Sequence, residues 1–189
     1  MKQTIKCLFG LFTLFLLGCG GKVIPPNPLN ELKKEYKDKY AYTVVLQDMD
    51  LQEEQYKHKY KVFEITKEDE VNVFLTDWKN VDDDFFALHE SNLGMEVLSK
   101  SHNGNLNNLA TPPGFTHFVG NDHYGFWTGG GNANIAEESQ LWQFYPNWQY
   151  LGIELEINHF NISLKEYNEF NGKYIYNRPY YGEKYHKDS

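Results

Sequence analysis

The sequence predicts a single α+β domain: a small antiparallel sheet laid out as a meander, accompanied by a few short helices. Three observations carry this. Residues 56–65 (YKHKYKVFEI) alternate cleanly, with Tyr56, His58, Tyr60 and Val62 on one face and Lys57, Lys59 and Lys61 on the other, while 42–47 (YTVVLQ) is β-branched and 71–78 alternates again through Val71, Val73 and Leu75. The connections between these runs are short and polar, which suits antiparallel neighbours with one face in water. Helical spacing occurs only in short stretches bounded by capping residues. The chain has 189 residues, 41% hydrophobic and 16% aromatic, enough for one real core and too few for two comfortable domains.

The first segment is not part of that domain. Met1 to Lys6 holds two lysines and no acid, and Cys7 to Leu17 (CLFGLFTLFLL) follows without a charge. This is the layout of an export signal. It is too short to span a bilayer, which takes about 20 apolar residues. The run closes with Leu16-Leu17-Gly18-Cys19. This motif resembles the lipobox of bacterial lipoproteins. The resemblance implies that residues 1–18 are removed and that Cys19 becomes the lipidated first residue, carrying diacylglycerol and a further acyl chain such as palmitate. Two or three acyl chains make such an anchor effectively permanent. It also implies a place in the bacterial cell envelope, with the outer membrane as the expected surface. Cys7 leaves with the signal, so no thiol remains in the body for a disulfide, a nucleophile or a metal.

Losing Lys2 and Lys6 leaves 16 basic residues against 26 acidic ones, a balance of −10. A chain so charged has no basic surplus to hold phosphate backbones, and a nucleic-acid partner is excluded. Residues 19–41 read as a lipidated tether, glycine- and proline-rich through Gly20 to Pro28, followed by a helix. Asn30 is its expected cap and Tyr40 its end, with Leu29, Leu32, Tyr36 and Tyr40 on one face. The globular domain is expected over 42–172, and 173–189 is a tyrosine-rich tail.

Asp82-Asp83-Asp84 before Phe85-Phe86 suits a helix N-terminus, one acid capping and the others complementing the dipole. Calcium loops need alternating oxygens, and the two phenylalanines interrupt that pattern. Gly94 to Lys100 is a further strand. Residues 101–135 hold seven glycines and seven asparagines together with Phe115, Phe118, Tyr124, Phe126 and Trp127. There, 115–119 and 124–127 read as a hairpin around Gly120-Asn121-Asp122. Glu137 to Tyr150 is an aromatic helix broken at Pro146, Leu151 to Ile157 (LGIELEI) a strand, and Ser163 the cap of a last helix through Phe170.

No standard catalytic, phosphate-binding or metal signature is present. The best polar constellation is His117, Asp122 and His123, with Glu137, Glu138 or His159 as possible neighbours; two imidazoles and a carboxylate suit zinc or acid–base work. This is the basis of one alternative, a metal-dependent envelope hydrolase. A second alternative reads the 115–134 aromatic loop as a glycan-binding face, with Tyr124, Trp127 and Asn121 as ligand contacts. The rings of that loop also suit the core of a small β domain, the favoured reading. Pro112 to Trp127 (PPGF, FVGN, YGFW) resembles segments of uncharacterised bacterial lipoproteins, which implies no activity. The leading expectation is a lipid-anchored envelope protein of binding or structural role, without a cofactor, whose partners are the membrane through its anchor and an envelope protein or glycan.

Overall fold

The computed structural model describes residues 27–130, 132–157 and 162–175. The signal, Cys19, most of the tether, His159 and all but the first three residues of the expected tail lie outside the described residues.

Helix α1 (Pro28–Glu35) begins three residues earlier than the sequence suggested. Proline lacks an N–H and its φ is already helical, so it favours the first position, and the cap falls on the residue before it. Asn27 Oδ1 accepts from the backbone N–H of Leu29 (2.9 Å) and of Asn30 (3.3 Å). The helix closes at Tyr36; Leu29, Leu32 and Tyr36 are buried, while Tyr40 falls beyond it and is exposed.

Strands β1 (Ala41–Gln52) and β2 (Gln55–Ile65) form a long hairpin turned by Glu53 and Glu54, both in the left-handed region at φ 50° and 63°. That is the turn whose twist matches the strands it joins. β3 (Val71–Leu75) and the two-residue β4 (Lys79–Asn80) both pair with β2. Helix α2 (Asp83–His89) is capped by Asp82, whose Oδ1 accepts from Phe85 N–H at 2.6 Å, with Asp83 and Asp84 in the first turn as expected. β5 (Glu96–Lys100) then joins the free side of β1, and β6 (Leu106–Asn107) follows it. The order is β3-β2-β1-β5-β6, antiparallel throughout, with β4 beside β3. β1, β2 and β3 run as a meander, and the chain then crosses to the other side of β1 for β5. The α+β class and the small antiparallel sheet stand.

The wet face does not. Tyr42, Val44, Leu46, Tyr60 and Val62 pack under α1, and Phe85 of α2 joins them. Ala41, Val45, Phe63 and Ile65, on the opposite face, are covered by Phe115, Phe118, Val119, Tyr124, Trp142 and the following helices. Residues 41–46 are buried without a break, as a strand covered on both sides must be. The lysine row is accordingly occupied. Lys61 donates to the Glu154 carbonyl at 2.8 Å and pairs with its carboxylate at 3.3 Å, Lys57 donates to Gln52, and Lys59 lies 5.6 Å over the Trp78 ring.

The second half departs most from expectation. The 115–127 hairpin is not formed; 113–124 is a succession of turns, with Gly114 and Gly120 at φ 83° and 76° and the N–H groups of Phe118 and Val119 bonded back to Gly114 O. β7 (Gly125–Trp127) pairs instead with β8 (Trp142–Phe144). The helix expected over 137–150 is therefore split into a 3₁₀ turn (Glu137–Ser139), β8, a second 3₁₀ turn (Pro146–Trp148) and α3 (Gln149–Glu154). Extended backbone at Tyr145, before Pro146, prevents a continuous helix. α3 occupies the place of the expected 151–157 strand, because Leu151 and Leu155 are buried at helical spacing while Ile153 is exposed. α4 (Leu164–Ile175) begins as expected, Ser163 and Glu166 exchanging a reciprocal capping box, and runs five residues past Phe170.

Candidate recognition surface

β7 and β8 expose one face and bury the other. Trp127 pairs with Trp142 and Gly125 with Phe144 on the inner side; Phe126 pairs with Gln143 on the outer side, and Tyr145 follows two residues after Gln143. Gly125 is required here: a Cβ would lie 2.2 Å from the Gln143 carbonyl oxygen and 2.7 Å from the Trp142 ring. On the inner side Trp127 is half-buried, 5.1 Å from the Trp142 ring and 5.5 Å from that of Tyr167. On the outer side Phe126 (42% exposed) and Tyr145 (39%) lie ring beside ring, 5.5 Å apart and 31° from parallel, with the exposed Gln143 amide on the same face.

The row continues past Pro146. Trp148 N–H bonds to Tyr145 O at 2.8 Å, which turns the chain so that the Trp148 ring sits 4.9 Å from Tyr124, 5.5 Å from His123 and 6.0 Å from Tyr150. Tyr150 is 39% exposed and Trp148 half-buried. The outcome is two pairs of neighbouring rings, Phe126 with Tyr145 beside Gln143 and Trp148 with Tyr150 beside His123, linked by the backbone turn from Tyr145 to Trp148. Sequence reasoning singled out other residues. Tyr124 is buried beneath this surface, against Phe118 and Trp148, and burial foremost pushes its hydroxyl up to about 12. Trp127 faces inward. Asn121 is exposed, but its amide serves its own loop, accepting from His123 N–H at 3.0 Å and donating to His117 O at 3.1 Å. What could have revealed Phe126 and Tyr145 is the alternation within Gly125-Phe126-Trp127 and Trp142-Gln143-Phe144, once the two were recognised as partners.

The histidine constellation is not assembled. His117 turns inward and burial lowers it to about 4, whereas His123 lies at the surface beside Tyr124 and Trp148, and Asp122 is exposed. Without the hairpin, nothing sets the two imidazoles opposite each other. Glu137 and Glu138 face α4, bonded to Asn168 and Lys165. Among the described residues no group of three His, Cys, Asp or Glu side chains is placed to hold a metal ion.

A buried carboxyl fixes the loop that leads into β7 and supplies Tyr124 beneath the Trp148 ring. Glu96 on β5 is fully buried and accepts from the hydroxyls of Thr116 (2.5 Å) and Thr111 (3.4 Å), while Ser99 donates to Thr116 at 3.3 Å. Backbone bonds of 2.9 Å in both directions join Glu96 to Thr111. Burial pushes the Glu96 carboxyl up to about 7, against the opposing pull of its hydrogen bonds. Its work is to tie residues 111–116 to the sheet, and thereby to set where the turns of 117–124 begin.

No protein-family model, curated protein or solved structure matches the chain.

Proposed function

We propose that this is a lipid-anchored protein of the bacterial cell envelope that binds a glycan on its aromatic surface, without catalysing a reaction. The observation that carries the reading is the pair of neighbouring exposed rings, Phe126 and Tyr145, with the Gln143 amide on the same strand face. Large rings left in water cost solubility, and a contiguous patch of them favours a ligand that covers it. Rings 5.5 Å apart and tilted by a third of a right angle offer a shallow trough. The C–H faces of pyranose rings fit such a surface, and an amide beside it can exchange hydrogen bonds with hydroxyls. The acidic balance of the chain favours a neutral polysaccharide over an anionic one. The lipobox-like Leu16-Leu17-Gly18-Cys19 supports a position within reach of such polymers, since Cys19 lies eight residues before Asn27, the cap of α1.

Retention of the full chain on purified cell wall tests the reading. Wild type should be retained, and Phe126→Ala or Tyr145→Ala should lower retention at least tenfold with an unchanged melting temperature. Equal retention of both variants, or capture of solubilised membrane proteins in place of cell wall, would refute the glycan reading.

A further inference from the structure

His58 stands on β2 beneath α2 and is completely buried. Its Nδ1 lies 3.0 Å from the Tyr60 hydroxyl, and its Nε2 meets no hydrogen-bond partner. α2 lays three rings over it: Phe85 and Phe86, each 5.5 Å away, and His89 at 5.8 Å. His89 is itself buried, stacked on Phe85 at 4.3 Å, with Nδ1 3.1 Å from the Phe85 carbonyl oxygen. Two imidazoles thus share one aromatic chamber. Neutral rings fit it; two imidazolium ions side by side, stripped of water, do not.

The segment over the chamber is fastened at its ends. Val81 N–H bonds to Tyr56 O at 2.9 Å and Gly94 N–H to Leu46 O at 2.8 Å. Between them the described backbone hydrogen bonds stay local, as in Phe86 N–H to Asp82 O. Phe85, Phe86 and His89 make the ring contacts that hold this segment to the sheet, and Asn92 is buried beyond them. Gly94, at φ 80° with open space around it, supplies a hinge.

We propose that residues 83–92 form an acid-released clamp, docked on the sheet while His58 and His89 are neutral and lifted from it, between the Val81 and Gly94 fastenings, when they take up protons. Lifting would bare Phe85, Phe86 and the sheet around Tyr60.

The charges around the chamber favour this. On β2 the neighbours are Tyr60 and Tyr56, the latter 4.7 Å from Phe86; on β1 the cross-strand partner of His58 is Met49. On β4 the partner is Lys79, a cation paired with Glu31 of α1 at 3.5 Å. The clamp's own acids, Asp82, Asp83 and Asp84, stand at the helix start, and Glu90 is exposed beyond His89. Burial, and secondarily His89, lowers His58 to about 4; burial lowers His89 too. In the lifted form both regain an ordinary imidazole value near 6.5. The closed clamp is thus favoured above that value. Between about 6.5 and 4, each unit of acid raises the open-to-closed ratio by up to about tenfold through His58, and His89 adds to it in the same direction.

Amide hydrogen exchange on the full chain, corrected for its intrinsic pH dependence, tests the clamp. Between pH 7 and pH 4.5, protection over 83–92 should fall at least tenfold more than protection over β1 and β2. His58→Phe and His89→Leu should each weaken that pH response, because each removes one proton-binding site. Should neither variant fold, the His58 resonance in wild type serves instead, and its titration midpoint should coincide with the opening. Loss over 83–92 no greater than over β1 and β2, an unchanged response in both variants, or a His58 midpoint apart from the opening would overturn the proposal.

Discussion

The Thr116 hydroxyl donates at 2.5 Å to the fully buried carboxyl of Glu96, twenty residues earlier in the chain. Together with the Glu96–Thr111 backbone bonds, this contact joins the sheet to the loop that leads into β7, and it sets an ionisable group at the joint.

Stability should carry its signature. The Glu96 carboxyl is raised in the folded chain, so its contribution is fully present below the ordinary carboxyl value of 4.5 and is lost as pH rises to about 7. Glu96→Gln keeps the shape without the charge. It should be more stable than wild type at pH 8, by about 1–3 kcal/mol, and no more stable at pH 5. Denaturant melts at the two values decide; an equal difference at both would mean that ionisation of Glu96 is not the cause.

The inner and outer aromatics should separate in the same kind of melt. Phe118 is completely buried, its ring 6.0 Å from Phe63 and 5.1 Å from Tyr124. Truncating it to alanine should cost about 3–5 kcal/mol. Half-buried Trp127 should fall toward that class, at roughly 2–4 kcal/mol, and exposed Phe126 should cost under about 1 kcal/mol. A costly Phe126→Ala would mean that the exposed ring supports the fold.

Gly125→Ala probes the pairing of β7 with β8 by steric means alone. The new methyl meets the Gln143 carbonyl oxygen at 2.2 Å, so the strands must part. A loss of about 3 kcal/mol or more, with weaker tryptophan–tryptophan coupling in near-ultraviolet circular dichroism, is expected from such overpacking. A melt within about 0.5 kcal/mol of wild type would contradict the pairing.

The proposed anchor has its own test. Cys19→Ala should abolish incorporation of labelled fatty acid, since no other cysteine follows the apolar run. Labelling equal to wild type would refute the assignment.

Much of the sheet was legible because its signals are local. The alternation of 56–65 and the caps at Asp82 and Ser163 each lie within one stretch of chain, and the structure agrees with them. β7 and β8 were not legible in the same way. Each has three residues, and the partner of Phe126 is Gln143, beyond a glycine- and asparagine-rich loop. A period-2 pattern needs more residues than that to declare itself, and Gly120-Asn121-Asp122 offered a nearer, ordinary turn. The candidate surface followed suit. Composition singled out 115–134, which holds Phe126 but not Tyr145, Trp148 or Tyr150, and which rings face outward is a matter of parity in a long-range pairing. Hence the sequence drew attention to Tyr124, which is buried, and Trp127, which is half-buried, while Phe126 and Tyr145 are the exposed rings. The alternation of 151–157 misled for a related reason: Leu151 and Leu155 satisfy periods of two and of four alike.

The strand order has a consequence for assembly. β1 is made first but lies in the middle of its sheet, with β2 on one side and β5 on the other. The hairpin and β3 use contacts close in sequence and can form as soon as they exist, whereas the opposite edge of β1 stays open until residues 96–100 have been synthesised. During that interval a strand of buried-type residues, Ala41 to Leu46, offers unpaired N–H and C=O groups to any neighbouring chain. Once complete, the sheet ends in the short β3 and β4 on one side and the two-residue β6 on the other, poor templates for further pairing. The hazard of edge-to-edge association therefore belongs to the half-made chain.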